Sequence, residues 1–239
     1  MKIIISYKEF YKKNGLMKTI FKIISKPLRL INKKRAYKNF IETREKIFDH
    51  QSIKDRFSYI YSAHYWPSKE SVSGPGSELR NTKNIREEIT KIIKQYKIKK
   101  FLDIPCGDFT WIQSIISKDI HYIGGDIVSD LISENKKKNN NSNINFIEIN
   151  LIEDKLPQAD LMLCRDCLVH LSNDNVKKFL KNFINSNIKY ILITSYESSS
   201  KNTSLNINNE IDDGDFRPTY LKESPFNFPN PVIKILDKD

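Results

Sequence analysis

From Glu78 onward the chain switches repeatedly between two kinds of apolar spacing. Leu79, Ile85, Ile89, Ile92 and Ile93 recur at helical intervals and predict a helix from Glu78 to Tyr96, with Ser77 as its cap. Short apolar runs bounded by turn residues predict strands near 100–104, 121–126, 144–149, 159–164 and 188–195. Between them, helical patterns fall near 109–117, 128–138 and 173–186. Strands that alternate with helices argue for an α/β fold, with a parallel sheet covered on both faces. Lys136 to Asn143 is a polar surface connection.

The flanks read differently. Residues 1–60 form two or three expected helices, broken near Asn14-Gly15 and Pro27, and residues 61–77 are a loop rich in Ser, Gly, Pro and aromatics. Ser198 to Asp215 is polar and aperiodic, Phe216 to Pro231 is dense in Pro and Phe, and Val232 to Leu236 predicts a last strand. A long ordered loop of this kind is a candidate substrate cover, and a terminal hairpin on the sheet edge is the alternative. The expected organisation is a basic helical extension, 1–60, followed by a catalytic-type domain, 61–239.

Charge sharpens that division. Residues 1–60 hold 16 Lys/Arg against 5 Asp/Glu, whereas residues 61–239 hold 24 of each, so the whole formal charge of +11 sits on the amino-terminal quarter. A nucleic-acid enzyme more often spreads basic residues around its active face, so a nucleic acid is not the expected partner. Leu16, Met17, Ile20, Phe21, Ile23 and Ile24 recur at helical spacing with Lys18, Lys22 and Lys26 among them. Such a helix can lie on an anionic membrane surface or dock on the domain with its basic face solvated. No segment reads as membrane-spanning, and Ile3 to Ile5 is too short for a signal-peptide core.

The three cysteines, Cys106, Cys164 and Cys167, make no disulfide framework. Cys164 and Cys167 form a CxxC without a second CxxC or paired His to complete a metal site. They read as reduced thiols in a packed turn, no metal is expected, and the implied compartment is reducing and cytoplasmic.

The chemistry concentrates in Lys100 to Trp111, KFLDIPCGDFTW. A strand ends near Asp103, Pro105, Cys106 and Gly107 turn the chain, and the next strand ends at Asp126, 19 residues after Gly107. Ligands of open α/β sheets sit outside the carboxyl ends of the strands, and an acid ~20 residues past the glycine turn can hold ribose hydroxyls. A turn with one glycine fits a dinucleotide pyrophosphate poorly. A cofactor bringing a carboxylate, an ammonium and one ribose fits better, and plain strand-end capping by the two acids is the bland alternative.

LDIPCGDF followed by YIGGDI resembles motifs I and II of the class I S-adenosylmethionine-dependent methyltransferases. FIEINLIEDKLPQADLMLCRDCLVHLS and KYILITSYE are similar to that family's later strand motifs, so the likeness covers roughly residues 78–197. It looks closest to a bacterial subgroup with a D-x-P-C-G-D-F turn and a C-R-D-C-L-V-H-L segment. The usual D/E-x-G-x-G-x-G is Asp103-Ile104-Pro105-Cys106-Gly107-Asp108-Phe109 here, keeping one glycine of three. The resemblance implies a Rossmann-like, mostly parallel sheet of the seven-stranded type, with the basic helical extension added, and S-adenosyl-L-methionine as cofactor. It implies that Asp103 and Gly107, with Pro105 and Cys106 in the same turn, flank the methionine part. Asp126 then binds ribose, Ile127 packs the adenine, and Asn150 and Leu151 meet its edge and ring. Arg165 and Asp166 fall where the methyl group meets the acceptor.

Asp166 and His170 are spaced i, i+4 and could share a helical face. A histidine there can act as general base, orient Asp166 or Arg165, or be structural. Ser73 to Ser77 could receive an anionic group at a helix start or be a plain turn. Tyr65, Trp66, Arg217 and Phe226 could line an acceptor pocket. The expected activity is methyl transfer, to oxygen before nitrogen, on a small-molecule or saccharide acceptor, in the cytoplasm or at the inner face of the membrane through residues 1–60. The rivals are an RNA or other macromolecule methyltransferase using the basic region, and a non-catalytic S-adenosylmethionine-binding module. No N-P-P-Y-type tetrapeptide follows the fourth strand, where CRDC stands instead.

Overall fold

The structure is a computed structural model that describes residues 35–197 and 207–237. The helical expectations for residues 1–34, including Leu16 to Ile24, lie outside the described residues, as does part of the loop from Ser198. The chain divides into two compact units, Met1–Lys46 and Ile47–Asp239. Residues 35–49 are helical (α1); within the first unit Lys38 pairs with Glu42 at 3.5 Å across one turn.

In the second unit, α2 (Ile53–Ser62) starts at Ser52, whose hydroxyl accepts the Asp55 N–H at 3.0 Å. Then come α3 (Lys83–Gln95), β1 (Lys100–Asp103), β2 (His121–Asp126), α4 (Ser129–Lys138), β3 (Ile144–Glu148), β4 (Leu161–Cys164), α5 (Asn173–Asn185) and β5 (Tyr190–Ile193). All strand pairings are parallel, in the order β3-β2-β1-β4-β5.

Because alternate side chains of a strand face opposite ways, each strand feeds two core layers. Phe101, Tyr122, Phe146, Leu161 and Leu163 pack with Ile85, Ile89 and Ile92 of α3. Leu102, Ile104, Met162 and Cys164 pack with Val176, Phe179 and Leu180 of α5, and Ile53 and Phe57 of α2 close onto that layer. Runs that are apolar on both faces are what a buried parallel strand requires, and Leu161–Cys164 is buried at every position.

Four expectations need correction. The sheet has five strands among the described residues, not seven. Residues 232–236 form no strand: Pro225, Pro229 and Pro231 lead into this stretch without N–H donors, and it runs as irregular chain. The helix expected from Glu78 begins at Lys83, because Pro75–Ser77 makes a separate 3-10 turn. Leu79, counted on the helix's core face, is exposed. The helix expected at 109–117 is one 3-10 turn, Ile112–Ile115. Phe109 stands at a left-handed φ of 61° and the Asp108 carboxylate accepts the Thr110 N–H at 3.2 Å, which takes the first turn away from α-helix.

Candidate active site at the strand ends

The strand order reverses between β1 and β4, the place where open α/β sheets carry a ligand crevice at the strands' carboxyl ends. Asp103 ends β1 and is buried. Its Oδ2 accepts the Tyr122 hydroxyl at 2.7 Å, across from Gly124 on β2. A Cβ on Gly124 would lie 2.8 Å from the Phe146 ring and 3.0 Å from the Tyr122 ring, so the glycine lets the phenol lie flat toward the acid. Burial pushes the Asp103 carboxyl up to about 7, with Asp126 adding and Tyr122 and Arg165 opposing. Asp126 ends β2, equally buried. Its oxygens accept Val128 N–H at 3.1 Å and Gly107 N–H at 3.3 Å, and burial raises it to about 6 against those bonds.

Gly107 joins the two acids. Its φ is 55°, and a Cβ there would sit 2.3 Å from the Ser73 hydroxyl, so both the backbone and the segment above it require glycine. The buried Asn135 amide from α4 donates to the Gly107 carbonyl at 2.7 Å. Cys106 in the same turn is buried, and burial, with Asp126 and Asp103, pushes its thiol well up. It is therefore a packing residue and no nucleophile at neutral pH. Pro105 enters the turn after a cis peptide. Ile127 is half-buried beside Asp126. Asn150 caps the turn after β3, its side chain accepting the Ile152 N–H at 3.0 Å, while Leu151 belongs to the core layer under α5.

Across the crevice, Arg165 follows β4 and is buried. Nη1 pairs with Asp166 at 2.9 Å, Nε with Asp237 at 2.7 Å, and Nη2 donates to the Gly76 carbonyl at 3.1 Å, while the guanidinium lies 5.4 Å from the Trp111 ring centre. Asp166 has a left-handed φ of 50°, and its backbone N–H and Oδ1 both meet Thr194 Oγ1. Asp166 is outside any helix and His170 ends a 3-10 turn, Leu168–His170, so the expected shared helical face does not exist. Three left-handed residues, Gly107, Phe109 and Asp166, thus lie at these strand ends, the last two in a conformation that side chains rarely adopt.

His170 lies between the Trp66 and Phe216 rings, at centroid distances of 4.9 and 5.8 Å. Its Nδ1 is 2.7 Å from the Asp215 carbonyl, an acceptor, so Nδ1 must carry the proton and Nε2 the lone pair. Burial holds its pKa below the usual histidine value, which keeps the ring neutral at pH 7. Arg217, expected near an acceptor, is instead spent on structure: it donates to the Asn209 and Leu168 carbonyls, Thr219 Oγ1 and Asn173 Oδ1. Cys164 and Cys167 are free and buried; their mutual hydrogen bond, then burial, pushes the Cys164 thiol well up.

Residues 65–77 cover the crevice. Val72 N–H binds the Asp108 carboxylate at 2.9 Å, Ser73 sits against Gly107, Gly76 meets Arg165, and Trp66 meets His170. A cavity of about 900 Å³ opens beside α4, lined by Tyr61, Trp66, Asp108, Glu134 and Asn135 among others. None of the expected cofactor residues lines it. Tyr122, Asp108 and Asp237 are contact residues that sequence reasoning did not single out, and Ser73, singled out within a possible anion-receiving turn, packs over Gly107. Asp108 sits inside the turn motif, two residues after Cys106, where its role was readable; Asp237 lies 72 residues from Arg165 and carries no local signal.

No family model and no curated protein matches the chain. Solved structures similar to it include the methyltransferase domain of a bacterial CtHen1-C (15% identity, 48% of this chain and 65% of that one, TM-score 0.43). Others are a DhpI–SAH complex (12%, 60% and 70%, 0.45) and human N-acetylserotonin methyltransferase with SAM (12%, 78% and 57%, 0.44). This chain thus spans less than two thirds of the first and the last. At these values no residue role carries over to it.

Proposed function

We propose that the chain is an S-adenosyl-L-methionine-dependent methyltransferase that acts on an oxygen of a small-molecule or saccharide acceptor. The observation that carries this reading is the pair of buried acids, Asp103 and Asp126, ending adjacent parallel strands on either side of the Gly107 turn. The ionised forms of both are under-stabilised, since burial leaves their proton affinities near 7 and 6. A ligand with cationic groups beside Asp103 and ribose hydroxyls on the remaining lone pairs of Asp126 answers both deficits, so the residues fit the cofactor. Pro105, Cys106 and Gly107 would line its methionine part, and Ile127, Asn150 and Leu151 its adenine.

When bound, the cofactor supplies an electrophilic methyl group on a sulfonium. The protein's part is alignment, exclusion of water by residues 65–77, and removal of the acceptor's proton. His170 suits the last: Asp215 holds Nδ1–H, and the neutral Nε2 takes the hydroxyl proton. Arg165 and Asp166 frame the acceptor side of the crevice.

Calorimetry with S-adenosylmethionine tests the assignment. Wild type should bind it, and Asp126→Ala should lose about tenfold or more, with Asp126→Asn, which removes the charge but keeps one of the two backbone bonds, checking for loss of fold. Absence of binding to wild type, or equal binding by all three, would end the reading.

A further inference from the structure

Among the described residues, Arg165 is shared by two carboxylates that are not equivalent. Asp166 is its chain neighbour and is fixed on its other oxygen by Thr194 Oγ1 at 3.1 Å. Asp237 arrives from the irregular 226–237 segment and reaches Nε through Oδ2 alone. Its Oδ1 is buried without any hydrogen-bond partner, one of two such side-chain atoms among the described residues, the other being Arg86 Nε. A buried, unpaired carboxylate oxygen is destabilising, and a guanidinium matches a planar carboxylate through two parallel N–H···O bonds. Asp237 satisfies neither requirement. The two acids also crowd each other, since Asp237 adds to the burial that raises the Asp166 carboxyl.

We infer that Asp237 stands in for the carboxylate of a small acidic acceptor, which Arg165 recognises against the Trp111 ring once residues 232–237 move aside. This rests on the methyltransferase reading, in which Arg165 stands on the acceptor side of the crevice, and it narrows the acceptor to a carboxylate-bearing molecule, a uronic acid among saccharides. The exchange is carboxylate for carboxylate, so Arg165 is never left buried and unpaired. Asp166, held by Thr194, keeps the guanidinium in place while the segment leaves. Trp111, itself buried, backs the guanidinium with its ring 5.4 Å away.

The test is titration of the full chain with D-glucuronate, with D-glucose as neutral control and inorganic phosphate as the competing anion, read by NMR or calorimetry. Asp237→Ala and Asp237→Asn should bind glucuronate about tenfold tighter than wild type, because the internal competitor is gone. Arg165→Lys in the Asp237→Ala background keeps the charge but not the fork, and should lose that gain. Equal affinity in wild type and both Asp237 variants, gain unaffected by Arg165→Lys, or glucose binding as well as glucuronate would overturn the inference. Phosphate binding tenfold tighter than glucuronate would overturn the carboxylate assignment. S-adenosylmethionine titrated into the same samples separates the two readings. Cofactor binding without glucuronate binding sinks this inference alone, whereas glucuronate binding without cofactor binding sinks the methyltransferase reading and leaves the carboxylate site standing.

Discussion

Asp103 and Asp126 are held by different donors, a phenol and two backbone amides, and both pay for burial with raised proton affinity. Their folded values, about 7 and about 6, lie above the unfolded value of ~3.9. The native state therefore binds more protons than the unfolded one between ~pH 4 and those values, and stability from these groups falls as pH rises through that window. A bound cation favours the ionised acids and reverses the shift. At pH 6 to 7, near those folded values, S-adenosylmethionine binding should release protons, seen as a calorimetric enthalpy that varies with the buffer's ionisation heat. The release should vanish once both acids are already ionised, near ~pH 9. Buffer-independent enthalpy throughout would contradict the placement of a cation beside these acids. The spacing of Asp103, Gly107 and Asp126 was legible in the sequence because strand ends and tight turns are local. The Tyr122 bond was not, because it depends on which strand lies next to β1.

At the scale of elements, periodicity located every strand of the described sheet and the bodies of α3, α4 and α5, and it failed where side chains compete with the backbone. Asp108 is the clearest case. It caps Thr110, which shortens the expected helix to one turn, and it also anchors Val72 of the covering loop. Asp108→Ala should free that loop: the Val72 amide is expected to exchange about tenfold faster, roughly the worth of one hydrogen bond, while Leu102 in β1 keeps its protection. An unchanged Val72 would mean the loop is held by Ser73, Gly76 and Trp66 alone. The late start of α3 has a similar origin. Apolar spacing counted Leu79 into the helix, but Pro75–Ser77 forms its own turn, and Glu78 carbonyl accepts from Thr82 before the helix begins.

Over the whole molecule the charge is segregated, with +11 on residues 1–60 and none net on the rest. Among the described residues no helix is long and apolar enough to cross a membrane. The rival reading, RNA methylation, would have to use that basic region as an arm, and a direct measurement separates the two. Single-stranded RNA should bind the chain weakly and lose affinity steeply between ~50 and ~200 mM salt, as purely electrostatic binding does. No labelled methyl group should pass from S-adenosylmethionine to that RNA, and incorporation would replace the small-molecule reading with the RNA one.

The sequence by itself determined the alternation of strands and helices, the parallel α/β class, and the acid–glycine–acid spacing at the strand ends. These follow from side-chain periodicity and turn chemistry, which act over a few neighbouring residues. Only the tertiary structure decided that Ser73 closes over Gly107, that His170 lies between Trp66 and Phe216, and that Asp237 reaches Arg165. Each of those contacts joins residues tens of positions apart, and its partner is selected by close packing and by the need to pair buried polar groups, which no local pattern encodes.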